Sequence, residues 1–162
     1  MQVWLTLKVL LLLTLANGTP VIAKDILGNQ FAIPIDGGAK FADGRPLLGS
    51  SKTVRGIFLS ILVTSAFAPI LGMNWKIGTL VAGAAMVGDL FSSFLKRRFH
   101  LHAGDKATGL DQIPESLFPL LACRGVLSFT SVDIVAGVVF FFFGELLLSR
   151  LFYHFRLRDR PY

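Results

Sequence analysis

Five apolar runs, separated by polar segments of unequal length, order this chain. They extend over roughly residues 2–23, 54–73, 75–95, 113–129 and 132–153, and runs of about 17 to 25 residues are what a helix needs to cross a bilayer. The pattern predicts an all-α integral membrane protein of about five transmembrane helices. The first run lacks the basic start of a secretory signal: Lys8 lies inside it and nothing basic precedes Lys8. It is expected to be a mature helix, broken near Asn17, Gly18 and Pro20. The fourth run is short and carries Glu115, Pro119 and Arg124.

Composition sharpens this picture. The 162 residues are 53% hydrophobic and only 16% charged, against about 25% charged for an ordinary soluble domain. One compact bundle over residues 1–162, without a second domain, is the expectation. The formal charge of +6 does not call for nucleic acid as a partner, because membrane proteins concentrate Lys and Arg on cytoplasmic loops. With five crossings, residues 24–55, residues 96–112 and the C-terminal tail share one side. They hold all Lys and Arg except Lys8, Lys76 and Arg124. The positive-inside rule then places both long loops and the C-terminus in the cytoplasm and the N-terminus outside. Cys123 is the single cysteine, so no internal disulfide is available.

The two long polar segments carry the candidate chemistry. The first, IPIDGGAKFADGRPLLGSSKTVRG, combines glycines, Asp36, Asp43, Arg45, Lys52 and Thr53. Glycines let backbone amides approach an anion, and Lys and Arg supply charge for phosphate. A basic loop resting on anionic lipid would have the same composition. Gly44 to Gly49 has the glycine spacing of a P-loop, but Ser50 and Ser51 intervene before Lys52 and no strand–helix context precedes it. The second segment follows the third run as GDLFSSFLKRRFHLHAGDKATGLDQ. On a helix Asp89, Ser93 and Lys96 share a face. Asp89 lies about two turns inside the membrane end, where an ionisable group faces a cavity or a partner. Asp111 returns at the start of the fourth run. A hairpin could bring Asp89 and Asp111 together as hard oxygen ligands for Mg²⁺. The alternative is an Asp89–Lys or Asp89–Arg ion pair bracing the bundle. His100 and His102 read as a surface pair, and Phe140 to Phe143 as packing or lipid-facing surface.

Together, ANGTPV (16–21), FADGRPLLGSSKTVRG (41–56) and GDLFSSFLKRRFHLHAGDKATGLDQ (88–112) resemble the CDP-archaeol synthase family of membrane cytidylyltransferases. The G-D-x-x-x-S-x-x-K-R core is also similar to that of phosphatidate cytidylyltransferases. The resemblance implies transfer of CMP from CTP to a lipid phosphomonoester, archaeol-type or related, with Mg²⁺ as cofactor, at the cytoplasmic membrane face. It implies Asp89 and Asp111 as metal ligands, joined by Lys96 as catalytic residues. It gives Asp43, Gly44, Arg45, Gly49, Lys52 and Thr53 to the nucleotide, and Ser93, Arg97, Arg98 and Gln112 to phosphates or the lipid head. One departure stands out. Archaeal members continue the last motif as D-Q-L-D-F, whereas this chain reads DQIPES, with Pro114 in place of the second Asp and Glu115 next to it. Either Glu115 takes over a polar role, or that acid is dispensable, or the substrate differs.

Two other readings remain at this level. Intramembrane Asp89 and Glu145 could form the ion path of a small transporter. A scaffold with basic loops would bind anionic lipid without nucleotide. A homodimer is compatible with so small a bundle.

Overall fold

The computed structural model describes residues 2–103, 105 and 107–154, with side chains described through residue 150. Lys106 and the tail charges Arg156, Arg158, Asp159 and Arg160 lie outside the described residues. Among these residues six helices follow in chain order: α1 (Val3–Leu27), α2 (Val54–Phe67), α3 (Trp75–Arg98), α4 (Gln112–Ala122), α5 (Arg124–Leu127) and α6 (Ser131–His154). A 3₁₀ turn, Ala68–Leu71, extends α2. Among the described residues, four segments are long and apolar enough to span a membrane: Val3–Leu27, Val54–Leu71, Trp75–Arg98 and Ser131–Arg150. The protein is an all-helical, multi-pass membrane bundle.

The expected break in α1 does not occur. Pro20 has no N–H to donate to the carbonyl of Ala16, one turn back, and in hydrocarbon that carbonyl would be left unpaired. Ser60 of α2 donates its hydroxyl to the Ala16 oxygen at 2.8 Å instead. The neighbouring helix supplies the hydrogen bond that proline removes, so α1 continues to Leu27.

The fourth crossing is made by α4 and α5, which together are too short to qualify as a lipid-spanning helix. The 11 residues of α4 rise only about 16 Å, half the hydrocarbon thickness. The chain nevertheless traverses the bundle. Asp111, at the start of α4, pairs with Lys96 in the last turn of α3. Ser128, just after α5, accepts a bond from Gln2 at the start of α1. Asp133 of α6 accepts the Gln2 amide at 2.6 Å and bonds Thr130, closing the opposite end of the bundle. Packing on α3 and α6 shields α4, so lipid need not match its length.

The core lies where α1, α3, α4 and α6 meet, around Val9, Leu12, Leu13, Val81, Ala85, Leu120, Ile134 and Phe141. Small residues permit close approach. A Cβ at Gly78 would meet the Thr64 carbonyl oxygen of α2 at 2.7 Å, and one at Gly88 would meet the Pro114 carbonyl oxygen of α4 at 2.4 Å. Gly88 therefore lets the first turn of α4 press on α3 beside Asp89. Pro114 fits there because the first helical N–H groups lack intrahelical partners anyway.

Candidate active site

The polar residues singled out in the sequence gather at one end of the bundle, where α1 and α3 finish. Three cation–carboxylate pairs link the two loops and α4 to α3. Lys52, from the first loop, places its ammonium 2.6 Å from both carboxylate oxygens of Asp89. Lys96 lies 2.8 Å from Asp111 and donates to the Asp105 carbonyl at 3.0 Å. Arg98 lies 2.9 Å from Asp43, donates to the Pro46 carbonyl, and stacks 4.8 Å and 5.0 Å from the rings of Phe41 and Phe94. Asp89 and Asp111 are thus each closed by a lysine rather than by each other. Among the described residues, no group of three His, Cys, Asp or Glu converges as a metal cluster.

Asp89 has further company. Glu115 is buried, lies against the Asp89 carboxyl, and senses Glu145 of α6. Asn17 of α1 donates its amide N–H to Glu115 Oε2 at 2.9 Å. The Asn17 Oδ1 atom is buried without a hydrogen-bond partner among the described residues. Carboxyls beside an unsatisfied amide oxygen are hard donors of the kind Mg²⁺ takes. Glu115 is thus a buried polar neighbour of both Asp89 and Asn17.

The first loop, residues 28–53, is ordered by Asp36. Its Oδ2 accepts the amides of Leu48 and Gly49 at 2.9 Å and 3.0 Å, and its Oδ1 accepts that of Gly38 at 3.0 Å. Desolvation pushes the Asp36 carboxyl up, but these amide hydrogen bonds outweigh it and hold the group below the ordinary carboxylate range. Gly49 adopts φ 98°, left-handed backbone that a side chain would strain, and a Cβ there would also touch Ala103 and Arg97. Thr53 caps α2, accepting the Gly56 amide at 3.2 Å. Arg55 donates to the carbonyls of Gly28 and Gln30, turning the chain after α1.

Two cavities open in this region. The first, about 550 Å³, is lined by Asp36, Lys40, Arg45, Gly49, Arg97 and His100, among others. The second, about 500 Å³, is lined by Lys24, Lys52, Thr53, Arg55 and Asp89, among others. Pro34, Ser50 and Ala103 line both and form the wall between them. Of the residues expected at the site, Arg45, Gly49 and Arg97 face the first cavity, and Lys52, Thr53 and Asp89 the second. Asp43, Gly44, Lys96, Arg98, Asp111 and Gln112 line neither and frame the loops. Gln112 accepts the Gly109 amide at 2.7 Å, and the Ala107 amide donates to Asp111. Ser93 is 1% exposed, and its hydroxyl finds no partner among the described residues. The sequence showed Asn17 as a helix-break position within ANGTPV, without its place beside Glu115, and gave no sign that Asp36 orders the first loop.

An intramembrane helical bundle with ionisable side chains gathered at one end has a solved counterpart. It is described as "Structural insight into an intramembrane enzyme for archaeal membrane lipids biosynthesis" and superposes with a TM-score of 0.75 at 28% identity, over 88% of this chain and 90% of the other. The family model described as CarS-like, CDP-archaeol synthase, matches residues 3–162. Two relatives named CDP-archaeol synthase align over most of both chains. The Pyrobaculum islandicum protein is 35% identical over 91% of each chain. The Sulfurisphaera tokodaii protein is 31% identical over 91% of this chain and 89% of its own. A more local match, 40% identical to the Hyperthermus butylicus protein of that name, covers 60% of this chain and 59% of the relative. The chain belongs to the CDP-archaeol synthase family.

Proposed function

We propose that the protein transfers CMP from CTP to the phosphate of a lipid phosphomonoester, of the archaeol type or a related glycerolipid, releasing pyrophosphate. The observation that carries this reading is the Lys52–Asp89 pair. It opens on a cavity at the inner end of a membrane bundle, with cations from two loops around it. Family membership supplies the reaction class.

The chemistry needs no strong base. The second pKa of a phosphomonoester is about 6, so the nucleophilic oxygen is already ionised near neutral pH. That oxygen attacks the α-phosphorus of CTP. A new P–O–P link forms, the bond from the α-phosphorus to the bridging oxygen breaks, and the electron pair leaves with pyrophosphate. The difficulty is bringing two polyanions together, so the work is positioning and charge neutralisation. Arg45 and Arg97 in the first cavity and Lys52 in the second offer positive charge to the triphosphate. Asp89 and Glu115, with the Asn17 carbonyl oxygen, would hold Mg²⁺, which supplies charge neutralisation of the phosphates when bound. Phosphate oxygens would draw Lys52 from Asp89 and leave that carboxylate to the cation, so each partner exchange conserves charge. Asp111 keeps Lys96 in place at the loop.

In this reading both loops and the C-terminus are cytoplasmic and the N-terminus is outside, as the Lys and Arg distribution favours. A transporter using Asp89 and Glu145 finds no support. These groups share the inner half of the bundle with Glu115 rather than tracing a path across it. Equilibrium binding of labelled CTP to the purified protein, with and without Mg²⁺, tests the reading. Saturable Mg²⁺-dependent binding is expected, and its absence in folded protein would overturn the assignment.

A further inference from the structure

The outer side of the first loop carries an apolar stripe. After α1 the chain turns through residues 28–31, with Phe31 at φ 55°, and then Pro34 pairs with Thr53 in an isolated antiparallel bridge. Around this bridge exposure alternates from one residue to the next. Ala32, Pro34 and Asp36 face the cavities, while Phe31, Ile33 and Ile35 point outward, exposed by 77%, 63% and 39%. A polar loop in water has no reason to display three such residues on one face.

The stripe is continuous with the apolar exterior of the bundle. The Ile33 carbonyl accepts the Val54 amide at 3.0 Å. From Val54 the exposed row runs along α2 through Phe58 and Leu62, four residues apart. On α1, Ile22 and Ile26 are exposed on the approach to the same loop. Directly behind this apolar strip lies the second cavity, with Lys24, Lys52 and Arg55. Arg55 is committed to the backbone of the turn, whereas Lys24 projects exposed from the α1 face that also carries Pro20 and Gly28. Apolar residues outside and cations immediately inside match a molecule whose chains stay in hydrocarbon while its phosphate turns inward.

We propose that residues 31–35 are embedded in the inner leaflet as the entry lip for the lipid substrate. Its phosphate passes between α1 and this lip into the second cavity, where Lys24 receives it; the nucleoside of CTP occupies the first cavity. The two reacting phosphates then meet at the shared wall beside Lys52. The substrate half of this proposal rests on the cytidylyltransferase reading above; the embedding of the lip does not.

The test has two arms. Trp4 and Trp75 are the only tryptophans, so a Trp4→Phe, Trp75→Phe background carrying Ile33→Trp reports on the lip alone. In vesicles, its fluorescence is expected to be quenched by lipids brominated on the chains and shielded from acrylamide. Quenching by acrylamide alone would overturn the embedding, whatever the enzyme does. In the second arm, Lys24→Gln and Ile33→Asp are compared by turnover. Each should raise the lipid KM at least about fivefold and leave the CTP KM unchanged. A rise in the CTP KM instead would overturn the cavity assignment. Wild-type protein yielding no CDP-lipid would overturn the cytidylyltransferase reading and the substrate half with it, while the quenching arm still decides whether the lip is embedded.

Discussion

Replacing Gly88 by alanine probes how α4 is held against the acid it serves. The added Cβ would lie 2.4 Å from the Pro114 carbonyl oxygen, 2.7 Å from its carbon and 2.9 Å from the Glu115 nitrogen. All three are backbone atoms, so no rotamer change relieves the clash. Restoring ordinary contact in a close-packed interior needs α4 to retreat by about 1 Å. Overpacking of this kind costs about 1–3 kcal/mol, and the helix propensity gained over glycine returns at most about 1 kcal/mol. The net loss is therefore modest and the protein stays folded. Activity suffers more, because Glu115 follows Pro114 and sits against Asp89. A misplacement of about 1 Å in a reacting constellation can cost about a hundredfold in rate. Gly83 supplies the control. It lies on the same helix, and a Cβ there meets nothing within 4 Å. Gly83→Ala should keep full turnover and equal or higher stability. Thermal unfolding in detergent and CTP turnover, measured on both variants, make the comparison. Full turnover in Gly88→Ala would refute the claim that the α3–α4 approach positions Glu115.

Three further outcomes are expected. Asp89→Asn and Asp111→Asn should each abolish CDP-lipid formation while the protein still assembles in the membrane; normal turnover of either purified variant would remove that residue from the site. Ser60→Ala leaves the Ala16 carbonyl without a donor and should destabilise by about 1–3 kcal/mol, whereas Pro20→Ala in the same chain restores the backbone N–H and most of the loss; equal unfolding midpoints for Ser60→Ala and wild type would contradict the bond. Asp36 is held below the ordinary carboxylate range, so its stabilisation is complete above the unfolded pKa and fades as pH falls through the lower folded value. The difference in unfolding temperature between Asp36→Asn and wild type should be constant from about pH 5 to 8 and shrink as pH falls below about 4; a difference that grows on acidification would reverse the sign.

The helices were legible because length and hydropathy alone set them: Val54, Trp75 and Ser131 begin helices within a residue of where the apolar runs predict. What failed locally failed for tertiary reasons. Pro20 signals a break in any isolated helix, and only the Ser60 hydroxyl, distant in sequence, cancels that signal. The fourth run looked like a span, and its crossing depends on neighbours that shield a helix of 11 residues. At the site, residue types pointed to phosphate chemistry, but pairing was not readable. Lys52 and Asp89 are 37 residues apart, and no spacing rule selects that contact over Lys96 or Arg98. Glu115 was noticed as a displaced acid, while its position against Asp89 depends on Gly88, whose missing side chain leaves no mark in a hydropathy pattern.

The central claim is tested most directly by incorporation of radiolabelled CTP into lipid. Purified protein with Mg²⁺ would be offered phosphatidic acids, ether-linked and isoprenoid glycerol phosphates, and polyprenyl phosphates, with EDTA and Asp89→Asn as controls. A labelled lipid that appears with a glycerolipid phosphate and is lost in both controls is the predicted result. No labelled product with any lipid, from folded protein that also fails to bind CTP, would contradict it.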